Sequence, residues 1–519
     1  MPVRWIGDIH VEHRTEPSLT RRRRILVLIV MCAALGAVVS AVSSLNVALP
    51  GIARDLQATS SELQWIVDAY AMVFAGLLLL SGAIGDRLGR RPILLGGLAL
   101  FAVAAAAATF VDSPGGLIAA RSVMGIGAAA IMPSTLAIIT NVFPADERDR
   151  AVAIWAGVAG GSALLGLLVS GLLLEWFAWP SVFAFSSAFG FAALVASVAI
   201  APNSTADETG LDIVGGVVSV LALSTLVYGI IEAPERGWLD ALTLASLLGA
   251  AVLIVAFVLW ELRVERPLLE PRLFRLAGFA AGTTSMTLQF FTFFGFVFVT
   301  LQYLQFVLDY SPLAAGLALS PMAVVMVGLS PQVPRLVGRW GSGPVGAVGL
   351  AAMAAGFATL AFLSVDSSYW HIFAGLIPLG VGLALATAPA TTAIVSSLPA
   401  SKQGVASAVN DAAREVGGAL GIAVLGSVLS GQYRSAIARG SEGLSPEIAE
   451  RAKEGLPAAL GIAQQIGPRG AAYAMDARTG FVDGLGLAMY VAAACAIAAA
   501  VFVFIRTPRG RGGHATTDD

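Results

Sequence analysis

Five ionisable side chains, Asp68, Arg121, Asp411, Arg414 and Glu415, fall inside stretches apolar enough to cross a lipid bilayer. A charged side chain at the bilayer centre costs about 2.5–3.5 kcal/mol on insertion scales. Unpaired, the five would cost on the order of 12–18 kcal/mol, comparable with the stability of a whole domain. Either they pair and face a wet interior, or the carboxylates take up protons. Both alternatives suit a solute or proton pathway better than a structural wall. Asp411 and Glu415 are one helical turn apart and share a helix face, where close acids favour reversible protonation. Arg414, three residues from Asp411, is an alternative partner that would make the group a structural ion pair. Asp68 stands between Trp65 and Tyr70, and an acid among aromatics suits a lipophilic cation. An interfacial acid near the headgroups is its plainer reading. Arg121 opens Arg121-Ser122-Val123-Met124-Gly125-Ile126-Gly127, whose glycines permit close helix approach. Gln289, Phe290 and Gln305 give a wall of aromatics and amides that, with Trp65 and Tyr70, forms the expected substrate cavity. Phenylalanine facing lipid is its commoner role. No Ser/His/Asp set, metal-ligand cluster or phosphate loop is present, so the reading is of a non-enzyme without metal or cofactor.

The elements that must position these residues follow from composition. The 519 residues are 57% hydrophobic and 12% charged, with mean hydropathy +0.82. Soluble domains carry about 25% charged residues, so this is an all-α polytopic membrane protein. A net charge of −2 argues against a nucleic-acid partner. Cys32 and Cys495 sit in apolar runs, and no disulfide is expected. Only Lys402 and Lys453 are lysines, and this arginine bias, with the Ala/Gly/Val bias, fits a G+C-rich bacterial genome.

Apolar windows of about 20 residues give fourteen spans, the first beginning at residue 25 after Arg21-Arg22-Arg23-Arg24. That run is too long for a secretory signal. With both termini in the cytoplasm, the inner segments hold 21 Arg/Lys and the outer ones 8, and six of the eight fall in one long loop, 431–483. Such asymmetry sets orientation in short loops. The expected organisation is a cytoplasmic segment 1–24, a six-helix bundle 25–201, two inserted helices 212–262, a second six-helix bundle 278–506, and a cytoplasmic tail 507–519. Loop 431–483 is expected outside the membrane and partly helical, from Ile448, Leu456, Leu460 and Ile462.

Between the second and third spans lies Gly82-Ala83-Ile84-Gly85-Asp86-Arg87-Leu88-Gly89-Arg90-Arg91-Pro92, a charged loop too short to join anything but the near ends of an antiparallel hairpin. Arg87-Leu88-Gly89-Arg90 recurs loosely as Arg335-Leu336-Val337-Gly338-Arg339 between spans 10 and 11, which supports two related halves around a midplane cavity.

The loop at 82–92 resembles the G-x-L-a-D-r-x-G-r-r loop of the major facilitator superfamily, matching at Gly82, Asp86, Arg87, Gly89, Arg90 and Arg91. Leu45-Asn46-Val47-Ala48-Leu49-Pro50, Gln64-Trp65-Ile66-Val67-Asp68-Ala69-Tyr70, the segment 121–127 with Met132-Pro133, Tyr310-Ser311-Pro312-Leu313-Ala314-Ala315-Gly316 and Gly404-Val405-Ala406-Ser407-Ala408 extend the likeness. The chain is similar to the fourteen-helix drug:proton antiporters of that superfamily, of the quaternary-ammonium and actinobacterial antibiotic exporter type. The resemblance implies the major facilitator fold, two six-helix bundles plus two inserted helices, in the bacterial plasma membrane. It implies a latch between the bundles at Asp86 and its arginines. It also makes Arg121 a participant in proton coupling, and Asp68, Asp411 and Glu415 the candidate carboxylates for proton or cationic substrate. The expected protein is a monomer that exchanges protons for a small lipophilic substrate, cationic or neutral, in contact with membrane lipids. Export of a lipid or endogenous metabolite, and a non-transporting receptor on the same fold, are the alternatives. One proton moving through about 100 mV and about 1 pH unit releases about 3.7 kcal/mol, enough for a gradient on the order of 500-fold in a neutral solute.

Three departures stand out. Ala41 and Ser43 replace the acid and threonine of the family's first helix, which speaks against a dicationic substrate. The helix-5 motif G-x-x-x-G-P-x-x-G-G reads Ser162-Ala163-Leu164-Leu165-Gly166-Leu167-Leu168-Val169-Ser170-Gly171, so Leu167 removes a residue that permits a kink. The W-R-W segment reads Trp179-Pro180-Ser181.

Overall fold

The computed structural model describes residues 20–203, 212–265, 267–398, 403–440 and 445–507. Most of the 1–24 segment and of the 507–519 tail therefore lies outside the described residues. Fourteen long helices order the chain. They are α1 (Arg21–Asp55), α2 (Ser60–Leu88), α3 (Arg90–Ala108), α4 (Pro114–Val142), α5 (Ala145–Trp176), α6 (Pro180–Ile200) and α7 (Ile213–Arg236). The rest are α8 (Ala241–Glu261), α9 (Ala277–Phe306), α10 (Pro312–Trp340), α11 (Ser342–Leu360), α12 (Tyr369–Ser396), α13 (Gln403–Gly440) and α14 (Gly470–Arg506). Thirteen are long and apolar enough to cross a membrane, and α5 adds the shorter apolar stretch Gly161–Trp176.

Local chemistry sets several of the ends. Thr59 and Glu62 close a reciprocal capping box at the start of α2, satisfying two orphan N–H groups. Ser113 and Ser311 cap α4 and α10, each followed by a proline whose missing N–H costs nothing there. At Leu319 and at Ser330–Gln332, α10 is interrupted beside Pro321, Pro331 and Pro334, each of which removes a backbone donor.

The two halves repeat one packing plan. In the first, α1 packs on α5, α2 and α3 on α4, and α3 on α6; in the second, α9 packs on α13, α10 and α11 on α12, and α11 on α14. Small residues allow the close crossings: a Cβ at Gly421 would strike the Phe291 carbonyl, and one at Gly125 the Tyr70 carbonyl. The halves meet along α2–α13 and along α5–α10. The inserted helix α7 lies on both α2 and α13, covering one seam and carrying α8 on its back. Its Gly216 abuts Leu80, and Val220 abuts Gly76.

The internal echo holds in a different register. Gly89 ends α2 and begins α3 with φ +109°, and its counterpart is Gly341 (φ +86°) between α10 and α11, not Gly338. Only glycine takes that conformation cheaply in a one-residue helix junction. The segment expected as an external loop, 431–483, is largely helical among its described residues. α13 continues to Gly440 and α14 starts at Gly470, and helices Pro446–Ala452 and Leu456–Gln465 pack between them. Apolar contacts with those short helices bury Tyr433 and Ile437, which keeps the α13 extension helical.

Among the described residues, every hydrogen bond and ring contact between the halves lies at the end away from the arginine loops. Gln305 donates to the Val47 carbonyl at 3.1 Å, Arg54 lies over Phe306, and Ser427 donates to Gln64 at 3.4 Å. The external helices add Ser60 N–H to the Glu454 carbonyl at 2.8 Å and Arg451 to Gln57 at 3.2 Å. The molecule is closed at that end. At the seam opposite α7, α5 packs on the first turns of α10, Pro312–Ala318.

Candidate functional site

Two groups of polar residues sit in the halves on either side of the central seam. In the first half, α2 supplies Asp68 and Tyr70 and α4 supplies Arg121; all three are 0 % exposed. Gly125, one turn beyond Arg121, lets α4 approach the α2 backbone closely enough to bring the guanidinium against Tyr70. Arg121 lies 4.2 Å from the Tyr70 ring centroid, and its Nε donates to the Ile66 carbonyl at 3.1 Å. Its two terminal nitrogens have no hydrogen-bond partner. Neither oxygen of Asp68 has one either, and no ion pair joins Asp68 to Arg121. Arg121 is thus a sealed cation held by a ring face and a single carbonyl, and Asp68, on another face of α2 from Tyr70, is a sealed acid held by nothing.

In the second half, α13 supplies Asn410, Asp411, Arg414 and Glu415, and α9 supplies Phe290. Arg414 is 4.6 Å from the Phe290 ring centroid and only 4.0 Å from Asp411 Oδ1, the outer limit of an ion pair. Asn410 reaches Asp411 at 3.5 Å and accepts from Thr391 at 3.2 Å, which ties the group to α12. Glu415 interacts electrostatically with Arg414 and Asp411, and across the seam with Tyr70. Both alternatives read from the sequence are thus present at once: Arg414 is near Asp411, yet too distant to neutralise it fully, and Glu415 shares the same face.

The expected cavity wall is redistributed. Gln305 seals the closed end instead of lining a cavity, because its amide is spent on the Val47 carbonyl. Trp65 faces the inserted helix, with its indole N–H on Glu232 at 3.2 Å and its ring 5.9 Å from Tyr228. The acid beside Trp65 is therefore Glu232, not Asp68. Tyr70 is buried under Arg121, with a long hydrogen bond to the Val38 carbonyl at 3.4 Å. Gln289 is buried and fully engaged with Ser285 at 2.8 Å and Thr387 at 3.0 Å. Phe290 alone of the five stays half-buried beside charged residues of the site. Glu232 was missed because it closes an apolar run at a helix end, and its partner is 167 residues away in the chain.

The arginine loop binds its own half. Asp86 pairs with Arg90 at 2.9 Å, Arg90 donates to the Ala137 carbonyl of α4 at 3.1 Å, and Arg91 donates to the Val198 carbonyl of α6 at 2.7 Å. Gly82 and Gly85 let α4 approach, facing Pro133 and Ser134. Among the described residues, Asp86 and Arg91 bond within the first half.

A family profile described as Major Facilitator Superfamily matches residues 26–422. The tetracenomycin C resistance and export protein of Streptomyces glaucescens is 34% identical, over 92% of this chain and 91% of its own. Multidrug efflux pump LfrA of Mycolicibacterium smegmatis is 35% identical over 88% and 91%, and methyl viologen resistance protein SmvA of Salmonella typhimurium is 33% identical over 88% and 92%. Among solved structures, the xylose transporter XylE from E. coli (14% identity) superposes with TM-score 0.60 over 95% of this chain and all of its own. The peptide transporter PepTSo (15% identity) does so with TM-score 0.63 over 93% and 97%. At those identities the two structures share the fold alone.

Proposed function

The chain belongs to the major facilitator superfamily, a multi-pass membrane transporter and not an enzyme, and on that footing we propose that it exports small lipophilic compounds in exchange for protons. The arginine-loop end is the cytoplasmic one, with both termini on that side of a bacterial plasma membrane, and the bonds that join the halves at the other end favour a cavity that opens inward. One chain carries the whole path and acts as a monomer, and the proton gradient takes the place of any cofactor. Relatives named for antibiotic and drug resistance supply the substrate class.

The observation that carries the proton half of this reading is Asp68, sealed from solvent with both oxygens unpartnered. An ionised carboxylate there would lose its hydration without compensation, so in this conformation Asp68 holds a proton. Arg121, stacked on Tyr70, is the cation that takes over when the proton leaves. Asp68 and Tyr70 stand two positions apart on α2, so loss of the proton reaches Arg121 through a movement of α2 against α4. On the other side of the seam, Asp411 and Glu415 remain reachable from the open end, where a lipophilic cation can replace Arg414 as their partner while its apolar body lies along Phe290. A neutral substrate uses the same aromatic surface without that exchange.

Proteoliposomes with an acidic, dye-loaded lumen test the reading. Addition of a lipophilic cation or neutral antibiotic alkalinises the lumen with the wild-type protein, and Asp68→Asn abolishes that response while substrate binding persists. Undiminished proton release from Asp68→Asn would remove Asp68 from the coupling and, with it, this account of Arg121.

A further inference from the structure

At the arginine-loop end of the inserted pair, two acids meet with no cation between them among the described residues. Asp212 caps α7: its Oδ1 accepts the Gly215 N–H at 2.8 Å, and both of its oxygens lie 3.0 Å from the Trp260 indole nitrogen. Glu261, the last residue of α8, is 2 % exposed. Its Oε2 accepts the Leu269 N–H at 3.1 Å, while its Oε1 is buried without any donor. That oxygen faces Asp212. A Cβ on Gly215 would overlap Glu261 Oε1 and Asp212 Oδ2 at once, so the two carboxyl groups face one small space. Both oxygens are acceptors, so a bond between them requires a proton on one.

We propose that Asp212 and Glu261 share one proton, forming a proton-binding clasp separate from Asp68 and from the acids of α13. The clasp joins three elements: the start of α7, the end of α8 and the linker that follows. Through the Leu269 N–H it holds that linker, whose Leu269 and Leu273 pack against Phe279 and Met286 of α9 and Ile394 of α12. Since α7 packs on α2, the shared proton ties the first half to the inner core of the second at the arginine-loop end.

Among the described residues, no positive charge is placed to replace the proton. Asp212 is the charged side chain that acts on Glu261, and the other groups reaching Glu261 are the backbone N–H groups of Leu268 and Leu269. Of the described linker residues, Arg263, Glu265, Arg272 and Arg275 form no hydrogen bond or ion pair with either acid. From α2, Asp86 pairs with Arg90, and Arg87 makes no recorded bond to the clasp. Removal of the proton leaves two like charges in apolar contact, and the clasp weakens as pH rises.

The test uses the full-length protein in lipid nanodiscs, following its thermal midpoint by tryptophan fluorescence between about pH 5 and about pH 9. The native state binds the extra proton, so stability falls with rising pH, and the wild-type midpoint steps down by about 2 °C. Glu261→Gln and Asp212→Asn each supply an amide N–H where the proton lay, so both fold and both lose the step. In infrared spectra at neutral pH, the carbonyl stretch of one protonated carboxyl, present in the wild type, vanishes in each variant. Profiles that superimpose on the wild type, or full retention of the carbonyl band in both variants, would overturn the clasp. Neither readout involves transport, so failure here leaves the export reading untouched.

Discussion

Arg121 and Arg414 both lie flat over an aromatic ring, 4.2 Å from Tyr70 and 4.6 Å from Phe290, yet their surroundings differ. Arg121 is wholly sealed and donates to one carbonyl. The Arg414 side chain is 32 % exposed and shares its charge with Asp411 and Glu415. The same cation–aromatic contact is worth about 0.5–1 kcal/mol where water reaches it and about 2 kcal/mol or more where it does not. A sealed arginine can change its partner only when the helices around it move, which links its charge to conformation. A half-exposed one can exchange its partner for a solute while the helices stay still. The first half is thus built to couple, and the second to select.

The strongest break of that comparison keeps both charges and removes only the planar guanidinium. Arg121→Lys loses the stacked face over Tyr70 and the hydrogen bond to Ile66, together about 3 kcal/mol in a dry site. Export should fall about 100-fold, equally for cationic and neutral substrates. Arg414→Lys loses only a wet stacking contact, and export should fall about 2- to 5-fold. Initial rates in everted vesicles decide it. Comparable losses in the two variants would mean that burial does not separate the two arginines.

Much of this arrangement was legible before any coordinates. Fourteen spans follow from apolar run length, and the arginine bias of the short loops placed one end apart from the other. The intramembrane positions of Asp68, Arg121, Asp411 and Glu415 were visible because ionisable residues are conspicuous in apolar runs. Their pairing was not. Whether Arg414 meets Asp411 depends on how tightly Phe290 holds the guanidinium, which is a packing outcome. Glu232 and Trp65 meet across 167 residues, and no local signal carries that. The loop echo fell in the wrong register because arginines are easily matched, whereas the conformational demand is on Gly89 and Gly341. The Asp212–Glu261 contact escaped notice since both acids lie at predicted span ends, where a solvated carboxylate is the ordinary expectation.

A smaller effect separates helix packing from burial as the source of the difference. Gly125 lies against the Tyr70 backbone, and Gly417 lies against the Thr287 backbone, so each arginine sits close to a glycine contact between helices. Gly125→Ala and Gly417→Ala should each destabilise the protein by about 1–3 kcal/mol, as overpacking does. Thermal midpoints should fall alike. The transport defect should be general for Gly125→Ala, which pushes α4 and Arg121 off the Tyr70 backbone, and confined to cationic substrates for Gly417→Ala. Matching substrate profiles would mean that both sites answer to packing alone.

The smallest effect comes from the rings. Tyr70→Phe keeps the face under Arg121 and loses only a 3.4 Å hydrogen bond to Val38, too long to contribute much. Export should change by less than about 2-fold, since the loss is well under 1 kcal/mol. Phe290→Leu removes the face under Arg414, and the freed guanidinium can close its 4.0 Å gap to Asp411. A tighter internal pair competes with a substrate cation for the same carboxylate. The stacking energy at an exposed site, about 0.5–1 kcal/mol, sets the size of that competition. KM for a cationic dye should therefore rise about 2- to 5-fold with kcat unchanged, and KM for a neutral antibiotic should hold. Equal rises for both substrates would assign Phe290 to apolar contact only, and a fall in kcat would place it with Arg121 in the coupling half.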